Sequence, residues 1–517
     1  MLDGRRTRRG TRPVAPPVVV VLAIIVVLIA LIPLGFVVAS TVTTSGGEIR
    51  RLLLRPRVGE LLGNTVRLVV GGVLVSALLG AGAAWLVERT DLPGRRVWAT
   101  VLVAPLAVPA FVNSYGWVSL TSAVEGFGGA VLICSMSYYP LVFLPVAAAL
   151  RGLDPALEDT ASALGLSRFA VLVRVVLPQL RPALLGGSLL VGLHLLAEFG
   201  ALQMLRFPTF TTAVYDQYRS SFNGPAATML AGVLVLLCLV LLVGEQTARG
   251  RRRLARVGSG ARRESTRVRL GPWAIPAVLG LVGLAVLALG VPVGSLAHWL
   301  VTGSSTAFPA ASLATATLTS LGLGAVAAVV TVVAALPVAY LAVRFPRLAS
   351  TLLERGTYTA NALPGIVVAL ALVTVAIRFA QPIYQSTLLL VVAYAIMFLP
   401  RGVVSARAAL AQAPPLLDDV SASLGVGPVR TFVRVTLPLI APGLASGAAL
   451  VFIAAGTELT ATLLLSPIGT TTLATSFWGS SSSLAYGAAA PYAALMIALS
   501  MPATFLLTRQ ARRTAAP

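Results

Sequence analysis

EDTASALGLSRFAVLVRVVLP, residues 158–178, and DDVSASLGVGPVRTFVRVTLP, residues 418–438, are two copies of one pattern, 260 residues apart in a chain of 517. Each opens on two acids, breaks at a glycine (Gly165, Gly425), carries an arginine (Arg174, Arg434) and closes on Leu-Pro. The same offset sets Pro182 on Pro442 and Glu198 on Glu458. Upstream an offset of 255 pairs Trp85 with Tyr340, Pro109 with Pro364, Tyr139 with Tyr394 and Pro145 with Pro400. Self-similarity on this scale makes the chain a tandem repeat, and the fold must be read as two related halves.

The composition says where those halves reside. The chain is 57% hydrophobic and 11% charged, with a mean hydropathy of +0.91, which excludes an ordinary soluble enzyme. Apolar stretches of about 20 residues, the length needed to cross a bilayer as a helix, recur throughout. Residues 68–87, 126–150 and 220–244 are examples, and twelve such stretches centre near residues 28, 77, 110, 138, 193, 235, 285, 331, 366, 398, 451 and 496. The N-terminal RRTRRGTRP precedes an apolar core well beyond the 7 to 15 residues of a cleaved signal, so it is expected to be the first span. The expected fold is all-α and integral to the membrane.

The net charge of +22 comes from 39 basic residues, every one an arginine, against 17 acids. In a membrane chain this excess reports orientation and not nucleic-acid binding. With the N-terminus inside, the segments 5–12, 89–96, 151–181, 249–269, 344–355, 401–434 and 509–513 all fall in the cytoplasm and hold 31 of the 39 arginines. Both termini are therefore expected there. Six spans per half return the chain to its starting side, so the halves are parallel repeats about an axis along the membrane normal. The expected divisions are a first half at 1–247, a basic linker at 248–271 that meets anionic headgroups, and a second half at 272–517. Cys134 and Cys238 lie within spans and read as small buried residues.

Both copies of the opening pattern fall between the fourth and fifth span of their half, on the cytoplasmic side. Acids at the start of a short helix suit its dipole, a glycine ends it, and an amphipathic stretch leads to a proline expected at the start of the next span. A helix duplicated about a two-fold axis is a pair of docking knobs for a paired partner.

The segments resemble the cytoplasmic loop of ABC importer permeases, whose pattern is Glu-Ala-Ala, three residues, Gly, nine residues, Ile, one residue, Leu-Pro. The first copy has Asp159-Thr160-Ala161, Gly165, Val175 and Leu177-Pro178; the second has Asp419-Val420-Ser421, Gly425, Val435 and Leu437-Pro438. The spacing is kept, with Asp in place of Glu and the Ala pair only partly present. Two loops in twelve spans resemble a fused permease of the type I importer fold. Further on, EFGALQMLRFPTFTTAVYDQY (198–218) and TELTATLLLSPIGTTTLATSFW (457–478) are similar to segments of ferric-iron-type permeases.

The resemblance implies coupling loops over 154–180 and 414–440 that seat on two ABC ATPase subunits. It carries Glu158, Asp159, Ala161, Gly165, Leu177 and Pro178, with Asp418, Asp419, Ser421, Gly425, Leu437 and Pro438, as loop residues. It also implies an extracytoplasmic binding protein, a multi-pass place in the inner membrane, and ferric iron or a ferric chelate as cargo. Thiamine and phosphonate are alternatives on the same architecture, and a secondary transporter is the competing class. With no lysine the chain has no phosphate-binding loop, and it shows no nucleophile or metal-ligand cluster. It is thus expected to bind no cofactor and to be no enzyme, with ATP and Mg used by the partner ATPases.

Glu198 and Glu458 are the only acids expected within spans. An ionisable group there costs about 2.5 to 3.5 kcal/mol on insertion scales and usually faces a cavity. One reading makes them a carboxylate pair on the translocation path, where oxygen ligands suit a hard cation; the other makes them structural hydrogen-bonding groups, or groups near the outer surface. His194 shares a helix face with Glu198, but its counterpart is Ala454, so it stands outside the two-fold pattern.

Overall fold

The computed structural model describes residues 15–221, 224–249, 267–360 and 363–513. Helices account for nearly all of them, and no strand occurs among the described residues beyond an isolated parallel bridge between Thr90 and Val268. That is the expected solution for lipid, where a helix satisfies its own backbone groups. Residues 1–14, with the N-terminal arginines, and the linker core 250–266 lie outside the described residues.

Among the described residues eight single helices are long and apolar enough to cross a membrane, and two bent pairs raise the number to ten. The expected twelve full spans are therefore not all confirmed among the described residues, and prolines interrupt two of the apolar stretches. The third apolar stretch of the first half breaks at Pro109, where Arg95–Ala107 and Ala110–Val118 meet at 88°. Its counterpart Pro364 has nearly the same backbone angles and caps Gly365–Phe379, only 15 residues long and buried over most of its length. A proline fixes its own φ and lacks the N–H needed to continue the ladder. The fourth stretch bends by 42° between Phe127–Tyr138 and Pro140–Gly152, whereas in the second half Ala395 replaces Pro140 and Thr387–Gln412 runs unbroken. The last apolar stretch lies in Tyr486–Arg513.

The fifth span of each half also starts earlier than its Leu-Pro suggests. Arg168–Ala197 and Pro428–Gly456 are continuous helices that hold a single π turn, Leu172–Val176 or Phe432–Thr436, just before Pro178 or Pro438. The prolines thus sit inside a helix and not at its beginning. A wider turn immediately upstream is a known way for a helix to absorb local disruption of its ladder.

Three helices form the corresponding centre of each half: Pro56–Arg89, Pro140–Gly152 and Leu177–Ala197, matched by Ala310–Arg344, Thr387–Gln412 and Leu437–Gly456. The halves are then laced together by exchange of their first helices. Pro17–Thr43 packs on Ala310–Arg344, Leu348–Ala360 and Gly365–Phe379 of the second half. Reciprocally, Val291–Thr302 packs on Ala110–Val118 of the first. The latter contact is so close that a Cβ on Gly116 would lie 2.5 Å from Pro292 Cα. The described end of the linker is stapled to the first half, where Val268 N–H donates to Arg89 O at 2.8 Å and Leu270 N–H to Asp91 Oδ1 at 2.8 Å.

Candidate functional site

The two acid-led loops have the same construction. Their first helices are Pro155–Ala163 and Leu416–Ser423, each followed by a glycine in the left-handed region, Gly165 at φ 85° and Gly425 at φ 74°. A residue with a Cβ is disfavoured in that conformation, which explains why both copies keep glycine there. Ala161 and Ser421 are buried beneath the helices.

The two adjacent acids of each loop have different surroundings. Glu158 forms an ion pair with Arg89, the last residue of Pro56–Arg89, and Asp418 pairs at 3.3 Å with Arg344, the last residue of Ala310–Arg344. Arg89 and Arg344 are themselves equivalent under the 255-residue offset. The Arg89 side chain is 5% exposed and also lies over the Trp85 ring, 5.6 Å from its centroid. Arg344 donates a second hydrogen bond to Ala413 O at 3.2 Å. By contrast Asp159 and Asp419 are exposed. Around them project further matched pairs of exposed apolar side chains: Leu164 with Leu424, and Phe169 with Val429. Leu177-Pro178 and Leu437-Pro438 lie farther along, in the fifth-span helices, and belong to the transition from loop to span.

A second site lies between the halves. A cavity of about 570 Å³ is lined by Tyr138, His194 and Glu198 from the first half and by Arg401, Thr457 and Glu458 from the second. The two glutamates occupy matched breaks, where the fifth span ends and a short helix, Gly200–Met204 or Thr460–Leu465, begins. Glu198 Oε1 accepts from Ala201 N–H at 2.9 Å, and Glu458 Oε1 from Ala461 N–H at 3.0 Å. Each carboxylate thereby satisfies an otherwise unpaired N–H at a helix start. Thr211 and Thr462 hydroxyls donate to the backbone carbonyls of Glu198 and Glu458, both at 2.7 Å. The cavity-facing and structural readings of these acids are consequently compatible, since both line the space and both cap a helix.

Beyond that shared frame the walls differ. Tyr138 donates its hydroxyl to Glu198 Oε2, and its ring lies 5.3 Å from that of His194, whose Nδ1 is 2.8 Å from Leu190 O. Arg401 is the residue that sequence reasoning misplaces. Its loop-side grouping with Arg407 to Arg434 is overturned, because it sits mid-helix in Thr387–Gln412 and opens onto the cavity. The available signal was its position directly after Pro400, inside an apolar stretch. Among the described residues no group of three or more His, Cys, Asp or Glu side chains is arranged to hold a metal ion.

Two embedded repeats laced around a shared charged cavity, with one matched loop helix in each, define a duplicated transmembrane permease. The chain belongs to the binding-protein-dependent transport system inner membrane components, whose family model matches residues 89–244 and 332–516. It is 36% identical to the Fe(3+)-transport system permease protein FbpB 2 of Haemophilus influenzae, over 93% of this chain and 96% of that protein. A putative ferric transport system permease protein of the same organism, FbpB 1, is 22% identical over 81% of this chain and 72% of its own length. The sulfate transport system permease protein CysT of Escherichia coli is 27% identical over 43% of this chain and 87% of its own length. These relatives are permease subunits, and membership of the family implies a multi-pass place in the inner membrane with an ATPase and a substrate-binding protein as partners.

Proposed function

We propose that the chain is the transmembrane pathway of an ATP-driven importer that moves ferric iron, or a small ferric complex, into the cytoplasm. The single observation that carries the mechanical part is the repeated division of labour in the loops. In each copy one acid is tied back to the end of the second span, while its neighbour and two or three apolar side chains face outward. An exposed Leu, Phe or Val on a projecting helix is most readily accounted for by a partner that covers it.

Two ATPase subunits, one per loop, are the partners that fit a duplicated surface. Asp159 and Asp419, with Leu164, Phe169, Leu424 and Val429, would meet them. The Arg89 and Arg344 ion pairs would pass the motion of each loop to its second span. When ATP brings the ATPases together the loops approach one another and the cavity opens outward; hydrolysis and separation return it inward. ATP and Mg act in those partner subunits, and this chain needs no cofactor of its own.

The iron assignment rests on the relative whose name specifies it and on a cavity bearing two carboxylates, whose oxygens suit a hard cation. The divisions at 1–247, 248–271 and 272–517 follow the repeat, and the cytoplasmic termini follow the arginine distribution, which keeps its sense after Arg401 is removed from the loops. Reconstitution tests the proposal: the chain in proteoliposomes with its ATPases inside and its iron-loaded binding protein outside should accumulate labelled iron only with ATP. Accumulation by the chain alone would instead identify a secondary transporter.

A further inference from the structure

The central cavity is chemically asymmetric although the helices around it repeat. Tyr138 and His194 have Ala393 and Ala454 as their second-half counterparts, while Arg401 corresponds to the fully buried Val146. One wall therefore offers a carboxylate held by a phenol, with an imidazole beside it. The other offers a carboxylate and a guanidinium.

Glu458 is the acid whose charge bears on Arg401, without closing a direct ion pair with it among the described residues. The Arg401 guanidinium lies over the Phe398 ring, 5.2 Å from the centroid, and it forms no direct ion pair or hydrogen bond among the described residues. It is exposed to the cavity from the middle of an apolar helix. A charge so placed is expensive to maintain and usually marks a pathway or a partner. A guanidinium is a planar fork of five donors, matched to carboxylate and phosphate oxygens. A bare trivalent cation in the cavity would be repelled by it. A cation that retains an oxyanion ligand would satisfy both walls, with metal toward the glutamates and oxyanion toward Arg401.

We propose that Arg401 is an oxyanion subsite, and that the cargo crosses this cavity as a ferric ion bound to a small carboxylate or phosphate ligand. This rests on the iron reading above. The same geometry makes Arg401 a discriminator among ferric complexes, because a neutral or cationic ligand on the metal would leave the guanidinium unpaired.

The test uses the complete transporter, with its ATPases and binding protein, in proteoliposomes. The binding protein is loaded with 55Fe and with either 33P-phosphate or 14C-citrate, and both isotopes are counted inside. One labelled anion should enter with iron in a fixed ratio, and its identity separates phosphate from carboxylate as the natural ligand. Arg401→Gln should lower iron entry about tenfold or more and abolish anion entry, on the scale of a lost charge-assisted contact. Arg401→Lys, which keeps the charge without the fork, should recover part of both. Co-purification of each variant with the ATPases checks that it folds. Iron entering without either anion, at the same rate in the wild type and in Arg401→Gln, overturns the subsite and leaves the iron reading standing. Failure of the wild type to move iron with either anion overturns the iron reading, and the subsite with it.

Discussion

Replacing Glu158 by Gln removes the charge that holds the first loop helix to the membrane domain. Arg89 is the partner, with a side chain 5% exposed against 23% for Glu158. Breaking a fully buried pair costs about 3 to 5 kcal/mol, because the remaining charge is left unsatisfied. Partial exposure of the acid and the Trp85 ring beside Arg89 lower that figure, so about 2 to 3 kcal/mol is expected for Glu158→Gln. In the second loop Asp418 is 34% exposed and Arg344 retains its bond to Ala413 O, so Asp418→Asn should cost less, about 1 to 2 kcal/mol. Local opening of the first loop helix would then rise by about 30-fold to 150-fold.

Hydrogen exchange reads this directly at the amides of Ala161 to Leu164, measured on the purified permease in detergent or nanodiscs. Glu158→Gln should accelerate exchange there, Asp418→Asn should do so less at Val420 to Leu424, and Asp159→Asn should leave both unchanged while weakening ATPase association. The exchanged pair Arg89→Glu with Glu158→Arg should recover part of the protection. Exchange in Glu158→Gln that matches the wild type would refute the idea that this acid anchors the loop. So would equal effects of Glu158→Gln and Asp159→Asn.

Other substitutions probe the remaining features. Gly165→Asp with Gly425→Asp should abolish ATPase association or substrate-stimulated hydrolysis; a Cβ meets no atom within 4 Å at either position, so the damage comes from positive φ, about 1 to 2 kcal/mol each, and from added charge. Unchanged stimulation would detach these loops from coupling. Glu198→Gln with Glu458→Gln keeps an oxygen for the helix-start N–H bonds but removes both charges, and should impair iron uptake with assembly intact; wild-type uptake would leave the pair with the capping role alone. Gly116→Val should force Ala110–Val118 away from Val291–Thr302 and destabilise the joined halves by about 1 to 3 kcal/mol, seen as a lowered thermal midpoint.

Much of this molecule is legible from pairing rules applied to the chain. The offset of 260 identifies Glu198 and Glu458 as equivalents, and the structure brings both to one cavity at matched helix breaks. Spacing likewise marks Gly165 and Gly425, whose positive φ needs glycine wherever the loop lies. Hydropathy alone does not show the breaks at Pro109 and Pro364, since it averages over them and cannot see that each begins a separate buried helix. It also groups Arg401 with the loop arginines, because proximity to a charged segment in sequence looks the same as membership of it.

The sequence by itself determined the class: a duplicated, all-helical membrane permease with one acid-led loop per half. Those properties depend on length, apolar content and repetition, which are local or periodic and survive without coordinates. Only the tertiary structure decided that Arg89 and Arg344 engage the first acid of each loop and leave the second exposed. It alone decided that first helices are exchanged between halves, and that Arg401 lines one cavity with two glutamates. Each of these joins residues far apart in the chain, and partner choice at that range is set by the packing of whole helices and not by any pattern along one of them.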